Sequence, residues 1–282
     1  MNYRHAFHAG NHTEVFKHSV LIAILQHLCL KPNSFAAIDT HAGVGRYDLR
    51  SVKAARTGEA AAGIVRLLGR DVVAARQYLD LVLLGSKGEL LQYPGSPEII
   101  RRMMRAQDRL IACELHPEDF QALKENFAGD HRVAVHHRDG YTAVRGFVPP
   151  IERRGLVFLD PPFELKDEAE RLAQAIADGI QRWPTGIFVA WYPIKGGQTG
   201  NHIGNKLISE LKLNKIPNCL SARFIPLARA DGVLSGSGLI ICNPPWNLDR
   251  TVRSLCAELM SFIGGVDGRW SVEWLSSKPA VD

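Results

Sequence analysis

The chain has 282 residues, 46% of them apolar, which supplies one large domain or two modest ones with a packed core. Its net charge of +5 leans toward an anionic partner, although a solvated basic surface accounts for the charge equally well. No apolar run reaches the ~20 residues that span a bilayer, and MNYRHAFHAGNH lacks a secretory apolar core, so the sequence reads as cytoplasmic with no membrane association. Cys29, Cys113, Cys219, Cys242 and Cys256 are odd in number and scattered through apolar stretches, which fits reduced core thiols and neither a disulfide framework nor a zinc knuckle.

In chain order, HAGNHTEVFKHSVLIAILQHL reads as a helix from about Thr13, with Lys17 and His18 on its first turns. His5, His8, His12 and His18 have no cysteines or carboxylate-rich set beside them, so polar capping or RNA contact is expected there and no metal site. SFAAIDT (34–40) is the first strand candidate, followed by the glycine turn HAGVGR with Gly43 and Gly45. Asp48 stands where the third glycine of G-x-G-x-x-G would be, which argues against a nicotinamide or flavin cofactor. No G-x-x-x-x-G-K-S/T is present to cradle a nucleoside triphosphate.

Residues 54–92 are rich in Ala, Leu and Arg with apolar positions at helical period. They predict a helical insertion subdomain over 48–95 within a main domain made of 1–47 and 96–282. Ser96 then reads as an N-cap, with Pro97 at the first helical position and Glu98 in the first turn. Four more strand candidates follow: RLIACEL (109–115), VAVHHRD (133–139), GLVFLDP (155–161) and GIFVAWY (186–192). Strands alternating with helical patterns argue for an α/β domain with a mainly parallel sheet. SARFIPL (221–227) and GSGLIICN (236–243), joined by ARADGVLS, suit a closing hairpin.

Four of the first five strands close on an acid: Asp39, Glu114, Asp139 and Asp160. A single acid after a strand is most simply a helix N-cap. Four such acids with a glycine turn after the first describe a crevice along the carboxyl ends of parallel strands, where open sheets bind ligands. LVFLDPPFE (156–164) adds two prolines and an aromatic ring to its acid, and LIICNPPW (239–246) repeats the pattern with Asn243 and Trp246.

The order of an acid-plus-glycine turn, an acid after the second strand, an Asp-Gly after the third and D-P-P-Y/F after the fourth resembles the S-adenosylmethionine-dependent methyltransferases of exocyclic amines. YRHAFHAGNHTEVFKH, DTHAGVGRY, YPGSPEI, CELHP, RDGY, LDPPFE, WYPIK and GSGLIICNPPW together resemble the RlmJ family over nearly the whole chain. One departure is Phe163, where the family usually has tyrosine; the change removes a hydroxyl and keeps a stacking face.

The resemblance implies a Rossmann-like class I methyltransferase fold: a seven-stranded, mostly parallel sheet with an antiparallel last strand and a small helical insertion. It implies N6-methylation of one adenine in domain V of 23S ribosomal RNA, with S-adenosylmethionine as cofactor; no metal is expected from the residues, and a monomer would suffice for the task. Asp160 and the carbonyl of Pro161 would accept the two N–H bonds of the amine, so that its lone pair turns toward the methyl group, and Asp160 would receive the departing proton. Phe163 would stack on the extruded base. Glu114 would take the cofactor's ribose hydroxyls, Asp139 and Gly140 its adenine, His41 and Gly43 its methionine part, and Lys17, His18 and Ser96 further contacts. Tyr3 and Arg4 would touch the RNA.

The same resemblance makes Asn243 a structural strand exit, because the strand before it runs the other way. A DNA adenine-N6 methyltransferase and a non-catalytic RNA-binding protein of the same fold are the alternative functions the motifs allow.

Overall fold

A computed structural model describes residues 8–50, 58–83, 90–197 and 200–275. Its first helix, α1 (His12–Cys29), starts where the Asn11 side chain accepts the backbone N–H groups of Thr13 and Glu14 at 3.0 and 2.9 Å. That cap satisfies two donors that an α-helix start leaves open. α1 is buried nearly all round, Lys17 and His18 included, as expected of a helix enclosed by protein rather than lying on a surface.

The central sheet has eight strands in the order β10-β8-β9-β7-β6-β1-β4-β5. They are β1 (Ala36–Asp39), β4 (Arg109–Glu114), β5 (Val133–His137), β6 (Gly155–Leu159), β7 (Ile187–Lys195), β8 (Cys219–Ile225), β9 (Leu234–Cys242) and β10 (Arg269–Trp274). β1 pairs in parallel with both β4 and β6, opposing Ala36 to Arg109 on one side and to Gly155 on the other. Helices cover both faces, so the inner strands AAID and GLVFL are buried at every residue rather than alternating. One apolar cluster lies under α1, α3 (Ser96–Met103) and α8 (Leu248–Ile263); the other lies under α5 (Gly140–Phe147), α6 (Glu168–Arg182) and α7 (His202–Leu213).

The expected seven strands form, and the fold is the expected α/β class. β9 runs antiparallel to β7 and β8, yet it is not the last strand. An eighth, β10, pairs antiparallel with β8 at the sheet edge. Its sequence RWSVEW alternates side chains across a half-exposed edge.

Between β1 and β4, β2 (Arg46–Asp48) and β3 (Gln92–Pro94) form a short antiparallel pair at the ends of the segment where a helical insertion is expected. Among the described residues between β2 and β3 are three 3-10 turns and one α-helix, α2 (Arg76–Leu83). Ile64, Leu67, Tyr78 and Val82 are buried in the same apolar cluster as α1 and α8. α4 (Pro117–Asn126) follows β4. Among the described residues no helix is long and apolar enough to cross a membrane.

Candidate active site

The carboxyl ends of β1, β4 and β6 and the first turns of α3 and α5 enclose a cavity of 270 Å³. His41, Gly43, Ser96, Glu114, Asp139, Gly140 and Asp160 all line it, so seven of the positions singled out in the sequence converge on one space. Glu114 is held at both oxygens by backbone, accepting Gly43 N–H at 2.8 Å and His116 N–H at 2.7 Å. Burial raises its pKa, against the pull of those two donors. A carboxylate offers about four acceptor sites, so Glu114 keeps capacity for a vicinal diol.

Gly43 adopts φ +59, and a Cβ there would meet the Tyr47 hydroxyl at 2.3 Å. A Cβ at Gly140 would strike the Thr40 carbonyl at 2.4 Å and the His41 ring at 2.7 Å. Glycine is therefore required at both positions for the wall to close. Burial holds the His41 imidazole down to about 4, leaving it neutral at neutral pH. Its Nδ1 lies 2.8 Å from the Thr40 hydroxyl, and its ring meets Tyr141 edge-on at 5.4 Å. Asp139 caps α5 by accepting Thr142 N–H at 2.9 Å, so it combines an N-cap with a place in the cavity wall.

A second cavity of 160 Å³ adjoins the first. Pro162 borders both cavities, while Phe163, Trp191, Pro193, Ile203 and Leu234 give the second its apolar walls. Phe163 holds φ 52, a left-handed conformation costly for a bulky residue, and its ring sits edge-on to Trp191 at 5.8 Å. Lys17 lines this second cavity, with its Nζ 2.5 Å from both Asp160 Oδ2 and Glu14 Oε1 and 5.1 Å over the Trp191 ring. Burial alone would lower the Lys17 pKa, but the two carboxylates reverse this and drive it above the usual lysine range. One ammonium between two carboxylates leaves a net negative charge where the cavities meet.

Several expected positions stand elsewhere. His18 lines neither cavity: its Nδ1 lies 2.9 Å from the Tyr93 hydroxyl, and Nε2 lies 3.7 Å from Glu14 Oε2. Pro161 is buried and borders neither cavity. Ser96 is not an N-cap, since Gly95 occupies that position without a side-chain bond; Ser96 instead hydrogen-bonds Asp39. Asp39 is fully buried and lines neither cavity, and burial raises its carboxyl to about 7. Tyr3 and Arg4 lie outside the described residues.

Asn243, at φ 52, donates its side-chain amide to the carbonyls of Pro184 (2.8 Å) and Gly186 (2.9 Å) and borders neither cavity. Glu14, Trp191, Tyr141 and Glu168 belong to the site without having been singled out in the sequence. Tyr141 donates to Glu168 Oε1 at 2.6 Å, which ties the wall after β5 to the helix after the D-P-P-F loop. Tyr141, Glu14 and Trp191 lie in the RDGY, YRHAFHAGNHTEVFKH and WYPIK segments, whereas Glu168 is a helix residue with no local mark. Among the described residues no three His, Cys, Asp or Glu side chains gather as metal ligands would.

Residues 32–276 match the model of a family described as ribosomal RNA large subunit methyltransferase D, RlmJ. The chain belongs to the RlmJ family. It is 39% identical over 284 residues to ribosomal RNA large subunit methyltransferase J of Haemophilus influenzae, covering 98% of this chain and 99% of that protein. Against the Escherichia coli K12 protein of the same name, identity is 38% over 280 residues, again with 98% and 99% covered. The crystal structure of a Legionella pneumophila protein superposes with a TM-score of 0.86 at 26% identity, over 95% of this chain and 98% of that one. RlmJ membership is thus carried by nearly the whole length of the chain rather than by a motif.

Proposed function

We propose that this member of the family transfers a methyl group from S-adenosylmethionine to the N6 amine of an adenine in domain V of 23S ribosomal RNA. The observation that carries the reading is the boundary between the two cavities: Asp160 lines the first, its ion-pair partner Lys17 lines the second, and Pro162 borders both. A catalyst that joins a cofactor to a swung-out base needs acceptor groups where the two meet, and Asp160 is such a group at that boundary.

The first cavity suits the cofactor in its donor set. Glu114 would accept the ribose hydroxyls, Asp139 the adenine amine, and His41 with the Gly43 turn would flank the amino-acid part. The cofactor supplies an electrophilic methyl on a sulfonium. The net negative charge shared by Glu14, Lys17 and Asp160 favours a cation beside it.

The adenine amine is a weak nucleophile because its lone pair is delocalised into the ring. Lys17 engages Asp160 Oδ2, which leaves Oδ1 to accept one amine N–H. Pro161 borders neither cavity itself but joins Asp160 to Pro162, which do, and its carbonyl would accept the other N–H from that junction, on a backbone stiffened by two successive prolines. Held this way, the lone pair points at the methyl group. After transfer the amine nitrogen is positively charged, and Asp160 accepts the proton it sheds. Phe163 and Trp191 offer aromatic surface to the base, with stacking worth ~1–3 kcal/mol. Tyr3 and Arg4 would meet the RNA from the N-terminal segment.

Incubation of the purified protein with methyl-labelled cofactor and unmodified 23S ribosomal RNA, followed by nucleoside mass spectrometry, should yield N6-methyladenosine at one site. Label in duplex DNA instead, or in neither nucleic acid, would overturn the assignment.

A further inference from the structure

The second cavity, at 160 Å³ with Phe163 and Trp191 in its wall, has room for a nucleobase and not for the strand attached to one. A nucleotide whose base enters there leaves its flanking phosphates at the rim. Lys195, at the end of β7, lines that rim with an exposed side chain that makes no ion pair among the described residues. Arg229, on the connection from β8 to β9, is likewise exposed and unpaired among the described residues.

The two segments lie against each other. A Cβ on Gly196 would meet the Arg229 carbonyl at 2.2 Å, and Gly196 N–H donates to Val233 O at 2.8 Å. Leu234, at the end of the same connection, lines the cavity itself. Asp231 is the one carboxylate of that connection, and it makes no ion pair with either cation among the described residues. Lys206, on α7 nearby in sequence, is by contrast already neutralised by Glu170 at 3.3 Å and Glu210 at 3.1 Å.

We propose that Lys195 and Arg229 form a clamp on the RNA phosphates that flank the extruded base. The clamp rests on the functional reading above and adds to it where the strand is held. Such contacts fix position without reading sequence. They also release counterions, at a slope of about 0.7 per neutralised phosphate on single strands.

The test uses the full chain with S-adenosylmethionine and a 23S ribosomal RNA fragment. In the double variant Lys195→Ala/Arg229→Ala, KM for RNA should rise about tenfold or more, with kcat falling far less. The dependence of log affinity on log salt should flatten by about 1.4, for two phosphates. Affinity for S-adenosylmethionine should stay at the wild-type value. Lys31→Ala/Lys212→Ala removes equal charge from the opposite end of the sheet and should change neither quantity.

A wild-type KM and salt slope in the Lys195/Arg229 variant would overturn the clamp, and so would an equal loss in the Lys31/Lys212 control. Failure of the wild-type chain itself to methylate the RNA would instead remove the functional reading, and the clamp with it.

Discussion

Asp160-Pro-Pro-Phe163 and Asn243-Pro-Pro-Trp246 satisfy the same loose pattern, each following a buried strand and each containing a residue at φ 52, and the sheet sends them to opposite ends. β6 runs with β1 and β4, so Asp160 emerges beside the glycine turn and Glu114. β9 runs against β7, with Cys242 opposite Phe188 at the β7 start, so Asn243 emerges at the amino ends of the parallel strands. There its amide groups close backbone carbonyls before β7, whereas Asp160 faces an ammonium and a cavity. Strand direction, rather than the motif, decides which stretch meets a ligand.

The sharpest way to break this contrast is Asp160→Ala. Lys17 would keep Glu14 as a partner, so the fold should survive, while kcat for methyl transfer should fall by about a thousandfold. Wild-type turnover in a rapid-quench assay would remove Asp160 from the chemistry. Glu114→Gln comes next. It swaps a charged acceptor for a neutral one and should weaken S-adenosylmethionine by about 10- to 100-fold in calorimetry, with little change in melting temperature. Unchanged affinity would mean that the first cavity is not the cofactor's.

Asn243→Ala probes the other motif. Loss of two hydrogen bonds and an alanine forced to φ 52 should cost about 2 kcal/mol in denaturant unfolding, with methyl transfer within twofold of wild type. A catalytic loss as deep as at Asp160 would erase the distinction between the two ends.

The smallest expected effect on turnover is at Asp39, where the readout is stability. Burial raises its carboxyl to about 7, so the native state retains a proton that the unfolded chain has released above its ordinary 3.8. Native stability therefore falls as pH rises through 7. Asp39→Asn should escape that loss, gaining on wild type by about 2–3 kcal/mol, several degrees in melting temperature, between pH 5 and pH 8. A constant gap across that range would contradict the buried, proton-holding carboxyl.

Most of the sheet was legible because parallel strands covered on both faces read as continuous apolar runs, as in GLVFL of β6. β10 was not found, since RWSVEW is a short, half-exposed edge strand whose alternation is easily lost beside charged residues. The insertion reads as helical by period, yet among its described residues 3-10 turns outnumber the single α-helix; periodicity reports which face is buried more reliably than which helix type forms.

In the site, the acids at strand ends and the glycine turn carry local marks. Ser96 misled because its S-P-E context fits a cap as well as a cavity wall. The ion pair of Lys17 with Asp160 joins residues 143 apart in sequence, and no local pattern encodes such a contact. Trp191 opens the WYPIK segment that carries the resemblance, but nothing local assigns it a role until folding sets its ring under the Lys17 ammonium.

The most direct test is a crystal structure of the chain with S-adenosylhomocysteine and adenosine bound together. The product cofactor should fill the cavity beside Glu114, and the adenosine base should lie against Phe163 with N6 about 3 Å from Asp160 Oδ1. Adenosine bound away from Phe163, or a carboxylate at 160 still out of reach of N6, would contradict the account.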